Sequence, residues 1–358
     1  MNHLQVFAGR KARQHILENG LCADDITAVF GASGAAKWLT IYGLDSAVFC
    51  HWFKNRTAPL YLFGTSIGAW KFAAAARPDP EIGFELLKEA YIHQYYNGKI
   101  TDAKIASETE RIMNRFLNGT VVDEILSHPF LRMAFSAVRC KGLMASRVKL
   151  FQASAMWSAF ELNLLSRKLQ TFYFDRVVFH DTRYDIRMFE LDDFPTHTVA
   201  LTRNNFTRAL LATASIPLIM EGVRHIDGAP KGTYRDGGLL DYHPVFPLPE
   251  EDPSKGFILY PHFYPFIKQG WFDKKLPGRN ASGSILDRVI LLSPSPEFVD
   301  SLPFRRIPDR QDFIRLKGKD EERVSAWEEA AQMSGRLGDE FLSLVENGTI
   351  KEQVLPLP

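Results

Sequence analysis

The chain has 358 residues, 46% hydrophobic and 24% charged, which is a globular composition long enough to bury a sizeable core as one large or two ordinary domains. A formal net charge of +1 gives no global attraction for nucleic acid or for an anionic membrane, so either partner would need a local patch. Cys22, Cys50 and Cys140 are widely spaced and cannot all pair, so they indicate neither a disulfide framework nor a zinc knuckle and fit a reducing compartment.

Residues 1–20 lack the basic region and apolar run of a secretory signal, and no apolar stretch approaches the roughly 18 residues of a membrane span. The expected setting is therefore cytoplasmic, with peripheral membrane contact as the alternative; an effector exported without a cleaved signal would read the same. A short helix is expected over 10–19, a buried strand over 26–30, a helix from the small-residue turn at 31–37 to about 49, and a strand over 60–63. Strand, turn, helix, strand and helix in that order point to an α/β protein, its mainly parallel sheet covered by helices on both faces.

Beyond Pro80 the pattern is helical to about 117, then reads as a strand over 131–138, a longer helix over 146–169, strands over 171–180 and 197–201, and a helix over 204–214. Short extended pieces and glycine turns fill 223–249. Strands at 257–260 and 288–292 and a helix over 321–345, capped by Asp320, complete the chain. With no repeat and no linker, residues 1–358 read as one domain. The segment 260–278 is rich in proline, glycine and aromatics, and either packs over the core or enters lipid headgroups, where Lys274 and Lys275 would meet phosphate.

Chemistry concentrates at Gly64-Thr65-Ser66-Ile67-Gly68. An apolar strand precedes this G-x-S-x-G pattern and an alanine-rich helix follows it, as in a nucleophile elbow, where a strained turn projects a serine hydroxyl. Gly64 and Gly68 stand where a Cβ would crowd the turn. Ser33-Gly34-Ala35-Ala36 supplies small residues at another strand-to-helix junction, a place where backbone N–H groups can meet a developing oxyanion. Asp236-Gly237-Gly238 can bring a carboxylate close to another loop, although the same tripeptide is common in ordinary turns.

In order, Ser33–Lys37, Gly64–Gly68, Ala212-Thr213-Ala214-Ser215-Ile216-Pro217, and Asp236-Gly237-Gly238 followed by His243-Pro244-Val245 resemble the motifs of patatin-like phospholipases, the patatin-like lipid acyl hydrolases. The resemblance covers about 26–246, with the strands and helix of 256–347 beyond it. It implies a three-layer α/β/α sandwich and a serine acyl hydrolase that cleaves fatty acyl esters of lipids or phospholipids through a Ser-Asp dyad. By position, Ser66 is the nucleophile and Asp236 the general base; Gly34 and Ala35 form the oxyanion hole, supported by Lys37, Gly64, Gly68, Gly237 and Gly238. No metal or organic cofactor is implied, and no nucleic acid. The partners are the lipid substrate and a membrane surface met through 260–278.

Four positions, Ser33, Ala35, Trp38 and His243, depart from the family pattern. Ser33-Gly34-Ala35 stands for a run of glycines, Trp38 for another glycine, and His243 for a frequent asparagine. Other readings are a lipid-binding or cofactor-activated effector without turnover of its own, an acyltransferase, and a Ser-Asp-His hydrolase using His243 or His262. A metal site from His225, Asp227, Asp241 and His243 has no recognised spacing.

Overall fold

The computed structural model describes residues 2–248 and 256–357. Its centre is one sheet of eleven strands: β1 Leu4–Ala8, β2 Ile26–Gly31, β3 Leu60–Gly64, β4 Leu131–Cys140, β5 Phe174–His180, β6 Thr196–Ala200, β7 Val223–Arg224, β8 Thr233–Asp236, β9 Phe257–Pro261, β10 Val289–Pro294 and β11 Val354–Pro356. The main path runs β11-β1-β10-β9-β2-β3-β4-β5-β6. Strands β10, β9, β2, β3 and β4 are parallel, whereas β1, β5 and β8 pair antiparallel to their neighbours. Strands β2, β3 and β10 are buried almost continuously along both alternating faces, as happens when helices cover both sides of a mainly parallel sheet. The architecture is therefore the α/β sandwich that the sequence pattern predicts.

The pairing of β4 brings two distant parts of the chain together. Its first half pairs in parallel with β3, Gly64 opposite Phe135, and its second half pairs antiparallel with β8, Asp236 opposite Ala137. Strand β5 occupies the other edge of β4 over the same length, so β3 and β8 share one edge and run toward each other. They meet at Ser136. This register sets the residues just after Gly64 beside Asp236.

Several expected elements shift. The helix over 35–49 is instead a 3-10 turn Ala35–Ile41, one α turn Tyr42–Ser46 and a π turn Ala47–Trp52. Gly43 there lies so close to the Ser334–Gly335 backbone that a Cβ would come within 2.5 Å of Gly335 N. The C-terminal helix is two, Asp320–Met333 and Gly335–Glu346, divided at Ser334, whose hydroxyl accepts from Gly43 N (2.8 Å) and donates to Ala331 O (2.6 Å). Asp320 does not cap it. Lys319 holds that position, and the Asp320 carboxylate instead accepts from the Tyr96 and Asn97 N–H groups at 3.1 and 2.7 Å. Strands β1 and β11 were too short to be read from the pattern, and residues 167–172 wind as a 3-10 turn before β5.

Candidate active site

Ser66 caps the helix Ile67–Ala75 and takes φ 53° and ψ −126°, a conformation costing of order 1–3 kcal/mol for a residue with a side chain. Two close approaches enforce the turn. A Cβ on Gly64 would lie 2.6 Å from Gly68 C, and one on Gly68 would lie 2.2 Å from Gly31 O, so the helix start sits directly on β2 and β3. The Ser66 N–H donates to Thr213 Oγ1 at 2.9 Å, and that hydroxyl donates to Ser136 O at 2.6 Å. Thr213 thus ties the elbow to the residue where β3 and β8 meet.

The Ser66 hydroxyl donates to Asp236 Oδ2 at 3.0 Å. Asp236 Oδ1 accepts from Gly238 N at 2.7 Å, and Asp236 N donates to Ser215 O at 3.0 Å. A Cβ on Gly237 would meet Ser136 O at 2.1 Å, and one on Gly238 would meet Ser33 Oγ at 2.6 Å, so both glycines are required by close packing. Asp236 is buried and forms no ion pair among the described residues. Burial pushes its carboxyl up to about 6, against the pull of the Gly238 N–H, the Ser66 hydroxyl and the more distant Arg310 and Lys274.

The loop after β2 is fastened to the elbow by side chains. Ser33 Oγ donates to Thr65 Oγ1 (2.9 Å), which donates to Asp241 O (2.7 Å), and Ser33 N donates to Tyr242 O (2.8 Å). Gly34 and Ala35 follow, and neither N–H has a backbone acceptor among the described residues. Ala35 sits at φ 52°, in the left-handed region that glycine occupies freely. Lys37 is buried and its ammonium donates to Asp309, from a segment that sequence reasoning did not connect with this loop. Trp38 is a buried anchor: its indole and the Lys71 ammonium both donate to the fully buried Asp45 carboxylate, at 2.9 Å and at 2.7 and 2.9 Å.

Two cavities meet at Ser66 and Ala35. The smaller, about 260 Å³, also touches Asp236 and Gly34 and carries the cations Lys37, Lys274 and Arg310 with Asp309. Lys274 is held at about 8, first by loss of surrounding water and then by repulsion from Lys37. The larger, about 670 Å³, is mostly apolar, with Trp70, Ile105, Ile112, Ile219 and Phe313 on its walls. Both chambers open on the one hydroxyl; Lys37, Lys274 and Asp309 line only the smaller, and Arg310 stands between the two.

Other sequence candidates lie elsewhere. His243 is buried, stacks on Tyr242 and accepts from Lys268 N at 2.9 Å through Nδ1; it lines neither cavity and bonds neither Ser66 nor Asp236. Desolvation holds its imidazole well below the usual range, and His262 is pushed down to about 3 for the same first reason. Asp241 is bound to Arg176 and Ser136, so the set with His225, Asp227 and His243 does not assemble, and no group of metal-ligating side chains occurs among the described residues. In 260–278, Phe263, Ile267 and Phe272 are buried, Trp271 and Lys275 are exposed, and Lys274, open along its stem, lays its ammonium 4.5 Å over the Tyr242 ring. Residues that sequence reasoning missed are Asp309 and Arg310, which carry no local motif, and the anchoring role of Thr213.

No protein-family profile and no curated protein matches the chain by sequence. Among solved structures it matches VipD from Legionella pneumophila at 11% identity and TM-score 0.32, over 73% of this chain and 53% of VipD. It also matches human GIVD cytosolic phospholipase A2 at 13% identity and TM-score 0.34, over 96% of this chain and 62% of that one. The chain thus spans little more than half the length of either structure. At this depth of similarity the functional reading rests on the site itself.

Proposed function

We propose that the protein is a serine acyl hydrolase of the patatin-like kind, cleaving fatty acyl esters of lipids or phospholipids through a Ser66–Asp236 dyad. The observation that carries this reading is the 3.0 Å hydrogen bond from a strained, cavity-lining serine to a buried carboxylate that forms no ion pair among the described residues. A base near pH 6 is ionised at neutrality yet basic enough to accept a hydroxyl proton as the new bond forms.

In the first step Asp236 takes the Ser66 proton while Oγ attacks the acyl carbonyl, and the Gly34 and Ala35 N–H groups receive the tetrahedral oxyanion. Collapse breaks the ester C–O bond. The leaving alcohol takes the proton from Asp236, and acyl-Ser66 remains. Water then gives a proton to Asp236 and attacks the acyl carbon; the second collapse releases the acid and returns the proton to Ser66. The larger chamber has the volume for an acyl chain, and Lys274, which lines only the smaller one, with Arg310 between the two, suits an anionic head group.

Hydrolysis of a short-chain p-nitrophenyl ester and of phospholipid vesicles tests this. Wild type should hydrolyse both, Ser66→Ala and Asp236→Asn neither, and His243→Ala should retain activity. An inactive wild type, or a His243→Ala protein as dead as Ser66→Ala, would remove the dyad reading.

A further inference from the structure

The helix Lys149–Leu165 packs the reverse of an ordinary surface helix. Its inner face carries the small or polar residues Gln152, Ala155, Ala159 and Asn163, all buried. Gln152 Nε2 donates to Ser146 O (2.7 Å), its Oε1 accepts from Leu218 N (3.2 Å), and Asn163 Nδ2 donates to Asp273 Oδ1 (2.7 Å). Large apolar side chains point outward instead. Leu150, Trp157 and Leu164 recur every seven residues, which is about two helical turns, so they form one stripe. Leu150 is 74% exposed, Trp157 65% and Leu165 77%; Phe151 and the following Phe172 extend the patch. Scattered exposed apolar residues are ordinary, whereas large ones recurring along one helix face, here interrupted by Ser154 and by Glu161, which accepts from Trp157 Nε1 at 2.8 Å, mark an interaction surface.

Two observations choose the occupant. The first is continuity with the cavity: Met156, beside Trp157, lines the chamber that holds Ser66, as do Trp271 and Lys274 of the adjoining loop. The second is charge. Residues 141–172 carry Lys141, Arg147, Lys149, Arg167 and Lys168 against Glu161; Lys141, Lys149 and Arg167 pair with Asp175, Asp102 and Asp193 from outside this span. Arg147, Lys168 and the nearby Lys275 are exposed and have no acidic partner among the described residues. A second copy would set these cations against one another across a two-fold axis, while an anionic lipid surface would pair them. The helix is not a membrane span, since no described helix is long and apolar enough to cross a bilayer. Aromatic and leucine side chains flanked by cations suit the interfacial plane.

We infer that the outward face of Lys149–Leu165, with Trp271 at its edge, docks on the surface of an anionic lipid bilayer. Docking there sets the mouth of the Ser66 chamber against the lipid. That consequence rests on the acyl-hydrolase reading, but the docking itself does not.

Flotation of Ser66→Ala protein with phosphatidylcholine vesicles, with and without phosphatidylglycerol, separates binding from turnover. The protein should float with the anionic vesicles, and Trp157→Glu and Leu165→Glu should each weaken binding roughly tenfold or more. Arg147→Glu with Lys168→Glu should abolish the preference for phosphatidylglycerol. In the Ser66 background, the same Trp157 and Leu165 substitutions should leave soluble-ester hydrolysis unchanged and lower vesicle hydrolysis, with circular dichroism confirming the fold. Failure of Ser66→Ala protein to float, or undiminished flotation of the Trp157→Glu/Leu165→Glu protein, overturns the docking. A wild type that is dimeric by light scattering, becomes monomeric with Trp157→Glu and ignores vesicles assigns the face to a second copy and also overturns it. Face-dependent flotation with no ester hydrolysis by wild type would keep the docking and remove the hydrolase reading.

Discussion

Asp236 and Asp241 stand on the same turn, both buried, and receive opposite treatment. Asp241 is saturated: Arg176 donates to it at 2.7 and 2.9 Å, Ser136 Oγ donates at 2.7 Å, and Arg176 also holds Asp193 at 2.6 Å. Asp236 has one backbone N–H and the Ser66 hydroxyl. The low polarity that makes the first pair a rigid strut leaves the second carboxylate short of stabilisation, and its affinity for a proton rises. A buried acid gains affinity for a proton when its cations stay at a distance and none pairs with it directly.

Substitution should separate the two. Asp236→Asn is expected to lower kcat on a soluble ester by about 10²–10⁴-fold with little loss of fold, and Ser66→Ala by at least as much, read by steady-state kinetics. Asp241→Asn should do the converse. Leaving the Arg176 guanidinium buried with reduced compensation should cost about 3–5 kcal/mol in denaturant unfolding, while kcat per folded molecule stays largely intact.

Thr213→Val sharpens the contrast from the elbow side. It strands the Ser66 N–H and removes the donor to Ser136 O, a loss of about 1–3 kcal/mol of stability that should be accompanied by lower kcat, because the same bond orients the serine. The pH profile carries a sign. As a base, Asp236 must be ionised, so kcat should fall as pH drops through about 6. Its folded affinity for the proton exceeds that of the unfolded chain, so its contribution to stability is full below about 4 and lost as pH rises through about 6. In Asp236→Asn that part of the Tm profile should flatten. The smallest effect is at Ala35. Replacing it with glycine relieves the left-handed backbone but adds chain entropy, for a net gain of about 1 kcal/mol or less by thermal unfolding.

Much of this site was legible because its glycines encode contact. Gly64, Gly68, Gly237 and Gly238 each stand where a Cβ would strike another part of the chain, so the pattern around Ser66 and Asp236 records the packing that joins them. The alternation of buried strands with helices likewise announced the sheet. What escaped depends on long-range partners: Lys37 finds Asp309, Asp320 turns away from its own helix toward Tyr96 and Asn97, and β1 and the edge strand β11 are short, with little pattern. The Lys149–Leu165 helix has one face of small and amide residues and another of large apolar ones, and only its packing reveals that the larger residues face outward.

The most direct test is the rate at which a fluorophosphonate labels wild type and Asp236→Asn across pH 4 to 8, with the modified residue located by mass spectrometry. The dyad predicts labelling at Ser66, rising with an apparent pKa near 6 in wild type and slow and flat in Asp236→Asn. Labelling at another residue, or an Asp236→Asn protein that reacts as fast as wild type, would contradict it.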